Sequence, residues 1–65
     1  MKNKTNFLIK DKVTCSLYGN GIVVKITKGL FPICVHFEDQ DEGDYVEYTN
    51  DGRSILNSLI TLTKD

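Results

Sequence analysis

The 65-residue sequence has no tryptophan, a single proline, a single histidine and only two cysteines. No apolar run exceeds three residues, so no segment predicts a membrane-spanning helix, which needs about 20. The polar residues 1–4 do not lead into the apolar region of a secretory signal peptide. We therefore expect a cytoplasmic protein that makes no membrane contact. In that compartment a disulfide between Cys15 and Cys34 is not expected.

Residues that bind metals or perform catalysis are scarce in this sequence. Two thiols cannot make the usual four-ligand zinc site. Cys34 and His36 on one strand face, with Cys15 nearby, could hold a metal, but cysteine most often behaves as a small buried hydrophobe. Glu38 shares the face of His36, yet such neighbours point in parallel and do not converge on one reacting atom. The stretch DQDEGD, residues 39–44, fails the calcium-loop template. We expect no enzyme activity, no metal and no cofactor.

The charges nearly balance, but they are segregated along the chain. A net charge of −1 argues against nucleic-acid binding, which normally uses a basic surface. Weak binding through a basic stripe is an alternative, and its lysines would be Lys10, Lys12, Lys25 and Lys28. The acidic patch comprises Glu38, Asp39, Asp41, Glu42 and Asp44. It is either a solvated loop, or a patch that meets a basic protein surface, or a patch that mimics nucleic acid and occupies its binding site.

From residue 12 onward, apolar residues recur at every second position, which predicts strands with one buried face. The expected strands span residues 12–17, 22–27, 31–38, 44–49 and 59–63. The second strand is expected to follow a tight reversal at Asn20–Gly21, because Asn-Gly favours such turns. The expected core residues are Val13, Leu17, Ile22, Val24, Ile26, Val35, Phe37, Val46, Leu59 and Leu62.

Five short strands joined by tight turns predict an all-β fold, a small five-stranded SH3-like barrel. Curling is expected because an open sheet of this size would expose two edges and cover one face thinly. A short polar N-terminal arm, residues 1–10, is expected to precede the barrel domain, residues 11–65.

Three motifs resemble those of small phage and prophage proteins with SH3-like (Tudor-like) barrels. The motifs are Tyr18-Gly19-x-Gly21-x-Val23, Phe31-Pro32-Ile33-x-Val35-x-Phe37 and Tyr48-Thr49-x-Asp51-Gly52-Arg53. More distantly, the run DKVTCSLYGNGIVVKI resembles the Tudor-like domain of superfamily 1 helicases and the RNA-polymerase-interacting domain of CarD-type regulators. The resemblance implies a host protein of the transcription, repair or defence machinery as partner. It implies little about activity, because small barrels host many functions.

The stretch YTNDGR, residues 48–53, is either a turn or a binding site. A turn explains Asp51, which can accept local hydrogen bonds, and Gly52, which can take a positive φ. It does not require Arg53, whose planar side chain suits a carboxylate, a phosphate or an aromatic face. Aromatic side chains near other turns are natural interface anchors. The predicted partner-binding residues are Tyr18, Phe31, Tyr45, Asp51 and Arg53.

Two functional hypotheses follow from these features. The first is a non-catalytic module that binds a host protein through an edge strand together with aromatic and arginine side chains. The second is a phage-encoded inhibitor of a host nuclease or defence effector, in which the acidic patch occupies a nucleic-acid channel. A homo-oligomer is compatible with either, because so small a chain gains stability by covering an exposed edge.

Overall fold

The computed structural model describes residues 7–64, which form five antiparallel strands and no helix. The strands are β1 (Lys12–Cys15), β2 (Gly19–Ile26), β3 (Ile33–Phe37), β4 (Val46–Tyr48) and β5 (Leu62–Lys64). They curl into a half-barrel, which confirms the all-β prediction. Within the described range no helix is long and apolar enough to cross a membrane. Residues 1–6 of the expected arm, and residue 65, lie outside that range.

The sheet has the order β4-β3-β2-β1-β5, so the last strand pairs with the first. β1 and β2 pair from Lys12–Ile22 to Cys15–Gly19. Between β2 and β3 the register shifts at Val24, an extra residue that forms a β-bulge. Since side chains alternate along a strand, the bulge changes the face to which the later residues of β2 point.

Residues 52–55 join the two edge strands of the sheet. On the β4 side, the Ile55 backbone N–H donates to the Glu47 carbonyl at 2.9 Å. On the β5 side, the Leu62 N–H donates to the Gly52 carbonyl at 2.7 Å. Both edges therefore bond to one short segment, which satisfies backbone groups that an open sheet would leave unpaired.

The core lies on the inner, concave face of the sheet. It consists of Phe7, Val13, Cys15, Val23, Ile33, Val35, Phe37, Tyr48 and Leu62. The Phe37 ring contacts two tyrosine rings, with centroids 5.2 Å away for Tyr18 and 6.3 Å for Tyr48. At these separations aromatic pairs attract each other. Phe7, which the sequence assigned to a polar arm, is buried and belongs to this core.

The expected core face of β2 is wrong at Ile22 and Val24. These side chains are 45% and 46% exposed, whereas Val23 between them is fully buried. The chain does not reverse at Asn20–Gly21, because residues 16–18 form the loop and β2 has already begun after it. Val13 therefore pairs with Gly21, and this register brings Gly21 and Val23 to the core face in place of Ile22 and Val24.

The bulge at Val24 reverses the faces a second time. Beyond it, Lys25 pairs with Cys34 on the outer face and Ile26 pairs with Ile33 on the inner face. Ile26 therefore packs against the core, as the sequence predicted. The prediction was correct at this end of β2 because two errors cancelled: the wrong register with β1 exchanged the two faces, and the bulge that was not predicted exchanged them back.

Two further expected core residues lie outside the core. Leu17 is 59% exposed and Leu59 is 82% exposed. β1 ends at Cys15 and β5 begins at Leu62, so both leucines fall in connecting loops. The remaining expected core residues are confirmed: Val13, Val35, Phe37 and Leu62 are buried, and Ile26 and Val46 are partly buried against them.

Candidate functional site

A groove on the outer face of the sheet, opposite the core, is the candidate functional site. Its floor is β2, where Ile22 and Val24 leave nearly half of their surface uncovered. The groove has a volume of about 410 Å³. This outer groove is lined by Lys12, Asn20, Gly21, Ile22, Val24, His36 and Glu38. An apolar floor with a few polar groups around it is the usual composition of a binding site.

Strand pairing sets the order of side chains across the outer groove. Lys12 pairs with Ile22, and Ile22 pairs with His36, so the three form one row. Neighbouring strands lie about 4.8 Å apart, which puts the β1 and β3 sides about 10 Å from each other. Glu38 lies just past β3, on the His36 side. One side of the groove therefore carries an ammonium group, and the other carries an imidazole and a carboxylate.

A hydrogen bond to the backbone orients His36. Its Nδ1 lies 2.6 Å from the carbonyl oxygen of Asp44. A carbonyl oxygen only accepts, so Nδ1 carries the proton and donates it. In the neutral ring, Nε2 is then an acceptor. The acidic loop thus fixes the orientation of a side chain that lines the outer groove.

A second, smaller groove lies beside β4 and has a volume of about 360 Å³. It is lined by Tyr45, Val46, Glu47, Ile55 and Leu56. Cys34 pairs with Glu47 and is fully buried. Burial raises the pKa of the Cys34 thiol, and the charge of Glu47 acts in the same direction. The thiol therefore stays protonated, which makes it a poor nucleophile.

The five predicted partner-binding residues lie in different places. Tyr18, 38% exposed, packs on Phe37 from the loop between β1 and β2. Phe31 precedes β3 and is partly buried, while Tyr45 lines the second groove. Asp51 and Arg53 lie exposed in the turn after β4. Neither groove contains more than one of the five.

Contacts within the turn YTNDGR account for Thr49, Asp51 and Gly52. The Gly52 N–H donates to the Thr49 carbonyl at 2.9 Å, and the Thr49 hydroxyl donates to the Asp51 carboxylate at 2.6 Å. The second of these bonds lowers the pKa of the Asp51 carboxyl, and the charge of Arg53 adds to the effect. Arg53 Nη1 donates to the Ser58 carbonyl at 3.0 Å. The arginine therefore holds the next loop in place.

All five carboxylates of the acidic patch are exposed. Over residues 7–64, the single ion pair joins Lys64 to Asp11 at 3.3 Å, so no lysine or arginine neutralises the patch there. The same residues contain no group of three histidine, cysteine, aspartate or glutamate side chains that could hold a metal ion. The acidic patch is thus a solvated surface that carries only negative charge.

Sequence reasoning missed the outer groove because it placed Ile22 and Val24 inside. A signal was present in the three consecutive apolar residues Ile22-Val23-Val24. Consecutive residues of a strand point to opposite faces, so such a run puts apolar side chains on both faces whatever the register.

The comparisons with known proteins add nothing to this geometry. The chain matches no protein-family model, no curated protein and no solved structure. Its function has to be inferred from the sequence motifs and from the surfaces described above.

Proposed function

We propose that the protein is a non-catalytic interaction module built on a small SH3-like barrel, and that the outer groove binds a protein partner. One observation carries the proposal: Ile22 and Val24 lie nearly half exposed on the groove floor. Covering their exposed halves would contribute about 2 kcal/mol to binding. The pairing of the last strand with the first and the three sequence motifs support the SH3-like assignment.

The chemistry of the outer groove favours a protein over a nucleic acid. To bind a nucleic acid, the groove would need several cationic side chains that follow the phosphate backbone. Lys12 is the one lysine among the lining residues, and Glu38 opposes it from the other side. An apolar floor between one cation and one anion suits a protein surface that carries both signs around an apolar side chain.

The motif resemblance to phage proteins points to a host protein as the partner. Transcription, repair and defence machinery are the candidates that the resemblance implies. In this proposal the outer groove supplies the apolar anchor. The Arg53 turn maintains the fold, because the Arg53 backbone N–H donates to the Thr49 hydroxyl and the Arg53 side chain donates to the Ser58 carbonyl.

Affinity capture from host lysate, with matched variants as baits, tests the proposal. Wild type and Leu30→Asp should retain the same protein, because Leu30 is 83% exposed in a loop outside the outer groove. Ile22→Asp should lose it, since a carboxylate would then occupy the apolar floor. Circular dichroism should show that these baits and Arg53→Ala are all folded. Retention of the partner by Ile22→Asp contradicts the proposal, and loss with Arg53→Ala alone would locate the partner at the turn.

The acidic patch supports a second candidate function, inhibition of a host nuclease or defence effector by mimicry of nucleic acid. Its carboxylates are exposed, and no lysine or arginine of residues 7–64 pairs with them. A loop that carries only negative charges would be attracted to a basic channel, and this attraction would raise the association rate.

Charge reversal separates the two functions. The triple variant Asp39→Lys, Asp41→Lys and Glu42→Lys removes most of the patch but leaves the residues that line the outer groove unchanged. A mimic should lose binding to its target, and the binding should weaken with rising salt. A partner held in the outer groove should remain bound to this variant and be lost from Ile22→Asp.

A further inference from the structure

We propose that the outer groove binds a second copy of this chain, and that Lys12 of each copy pairs with Glu38 and His36 of the other. The proposal rests on the proposed function in one respect, because it takes the groove as a protein-binding surface, for which a second copy and a host protein would compete. A second copy is inferred as the occupant because the two sides of the groove carry opposite charges.

The position of the apolar residues permits a symmetric contact. β2 runs along the centre of the groove, with β1 on one side and β3 on the other. A two-fold axis that lies in the interface and runs parallel to β2 places the Ile22 side chains of the two copies against each other. Such an isologous contact, in which the same patch serves both subunits, is the commonest arrangement of protein dimers.

The same axis exchanges the two sides of the groove. Lys12 on the β1 side of one copy then lies over the β3 side of the other, where His36 occupies the same row and Glu38 lies nearby. The ammonium group of Lys12 meets a carboxylate, and beside it lies His36, whose Nε2 is an acceptor in the neutral ring because Nδ1 donates to Asp44. By symmetry the pair forms twice. A groove with unlike charges on its two sides is therefore complementary to itself.

Global charge also permits self-association. The net charge of −1 gives two copies almost no mutual repulsion. A protein partner of strong single charge would leave either Lys12 or Glu38 facing a like charge, whereas a second copy satisfies both. The apolar part of the groove consists mainly of the exposed halves of Ile22 and Val24, so the dimer is expected to be weak and concentration-dependent.

Sedimentation equilibrium of the whole chain, from about 10 µM to about 1 mM, tests the pairing. The wild type should approach the mass of two chains at the upper end. Lys12→Glu and Glu38→Lys should each weaken association about tenfold or more, because each puts like charges together at both ends of the interface. An equimolar mixture of the two variants should associate about as strongly as the wild type, because each mutated position then meets the opposite charge.

Lys28→Glu is the matched control. It changes the charge of an exposed lysine in the loop after β2 that does not line the outer groove, and it should leave association unchanged. Circular dichroism of each variant shows that loss of association does not reflect unfolding. A single-chain mass at every wild-type concentration overturns the proposal. The proposal is also overturned if Lys12→Glu and Glu38→Lys both leave association unchanged. The same holds if their mixture associates no more strongly than either variant alone.

The outcome can be separated from that of the proposed function. A monomeric wild type that still captures a host protein through Ile22 excludes the second copy and supports the module. A charge-dependent dimer without any host protein captured through Ile22 supports the second copy and excludes the host partner at this groove.

Discussion

At the scale of single residues, Gly21 makes the close packing of the core possible. It lies on the inner side of β2 opposite Phe37. A Cβ atom at this position would lie 2.6 Å from Phe37 Cδ1 and 2.8 Å from Val35 Cγ1, both buried side chains. The absence of a side chain at Gly21 therefore lets the Phe37 ring pack directly against the backbone of β2.

Gly21→Ala should destabilise the fold by about 1–3 kcal/mol, because the new methyl group overpacks a full core. Urea denaturation followed by tyrosine fluorescence or circular dichroism measures the change. Val24→Ala is the control, since it truncates a half-exposed side chain of the same strand and should cost about 0.5 kcal/mol. Equal stability of Gly21→Ala and wild type would show that the core has more room than the distances indicate.

Tyr48 is a second residue whose effect depends on burial. Its hydroxyl donates to Cys15 Sγ at 3.0 Å inside the core. Burial raises the pKa of Tyr48 well above its ordinary value of 10, and the bond to Cys15 acts in the same direction. The folded state thus keeps this proton at a pH at which the unfolded state has released it.

Stability should therefore fall as the pH rises above about 10, because the unfolded chain then binds fewer protons than the folded one. Below that pH the Tyr48 contribution is fully present. Tyr48→Phe should show a smaller loss between about pH 9 and 11, which urea midpoints at each pH would reveal. Tyr18→Phe is the comparison, since that ring is partly exposed. An unchanged slope for Tyr48→Phe would contradict the assignment.

At the scale of elements, the turn YTNDGR links the two edge strands. Gly52 has a φ of 89°, and its carbonyl accepts the hydrogen bond from the Leu62 N–H. A Cβ atom here would lie 2.6 Å from the Leu62 carbonyl oxygen. The glycine is therefore required both by its backbone conformation and by the approach of β5.

The two requirements can be separated with a second glycine. Gly43 has a similar φ of 92°, but a Cβ atom there would meet nothing within 4 Å. Gly43→Ala should cost about 1–2 kcal/mol, the cost of left-handed backbone in a residue with a side chain. Gly52→Ala should cost about 3 kcal/mol or more, because it also displaces β5. Equal losses, read from thermal or urea unfolding, would show that the contact with Leu62 adds nothing.

At the scale of the whole molecule, a chain of 65 residues has a small core and a large exposed surface. Few large side chains are fully buried, and Ile22 and Val24 remain half exposed. Association through the outer groove would cover apolar surface that the fold itself leaves uncovered. Folding and association would then be coupled, because anything that binds only the folded state stabilises it.

The apparent melting temperature of wild type should consequently rise with protein concentration, by about 3 °C or more for a tenfold increase where the dimer is populated. Differential scanning calorimetry at several concentrations measures this shift. Lys12→Glu alone should melt at nearly the same temperature throughout, and its equimolar mixture with Glu38→Lys should recover the dependence. A wild-type melting temperature independent of concentration would contradict a coupled dimer.

The strand content could be read from the sequence with good accuracy, but the faces of β2 could not. In β3, the alternation of Ile33, Val35 and Phe37 was sufficient because no bulge interrupts that strand. In β2, the Asn-Gly signal competed with a loop at residues 16–18, and the loop formed instead. Local turn preference did not fix the register, and the register changes the burial of every side chain that follows.

The sequence by itself determined an all-β chain with its period-two strands, its turn glycines and its lack of catalytic motifs. Only the tertiary structure decided that Gly21 and Val23 face the core, that Phe7 joins them, and that Ile22 and Val24 line a groove. The physical reason is that periodicity defines two faces of a strand but does not say which is buried. That choice depends on partners far along the chain, here the Phe37 ring over Gly21 and the return of β5 to β1.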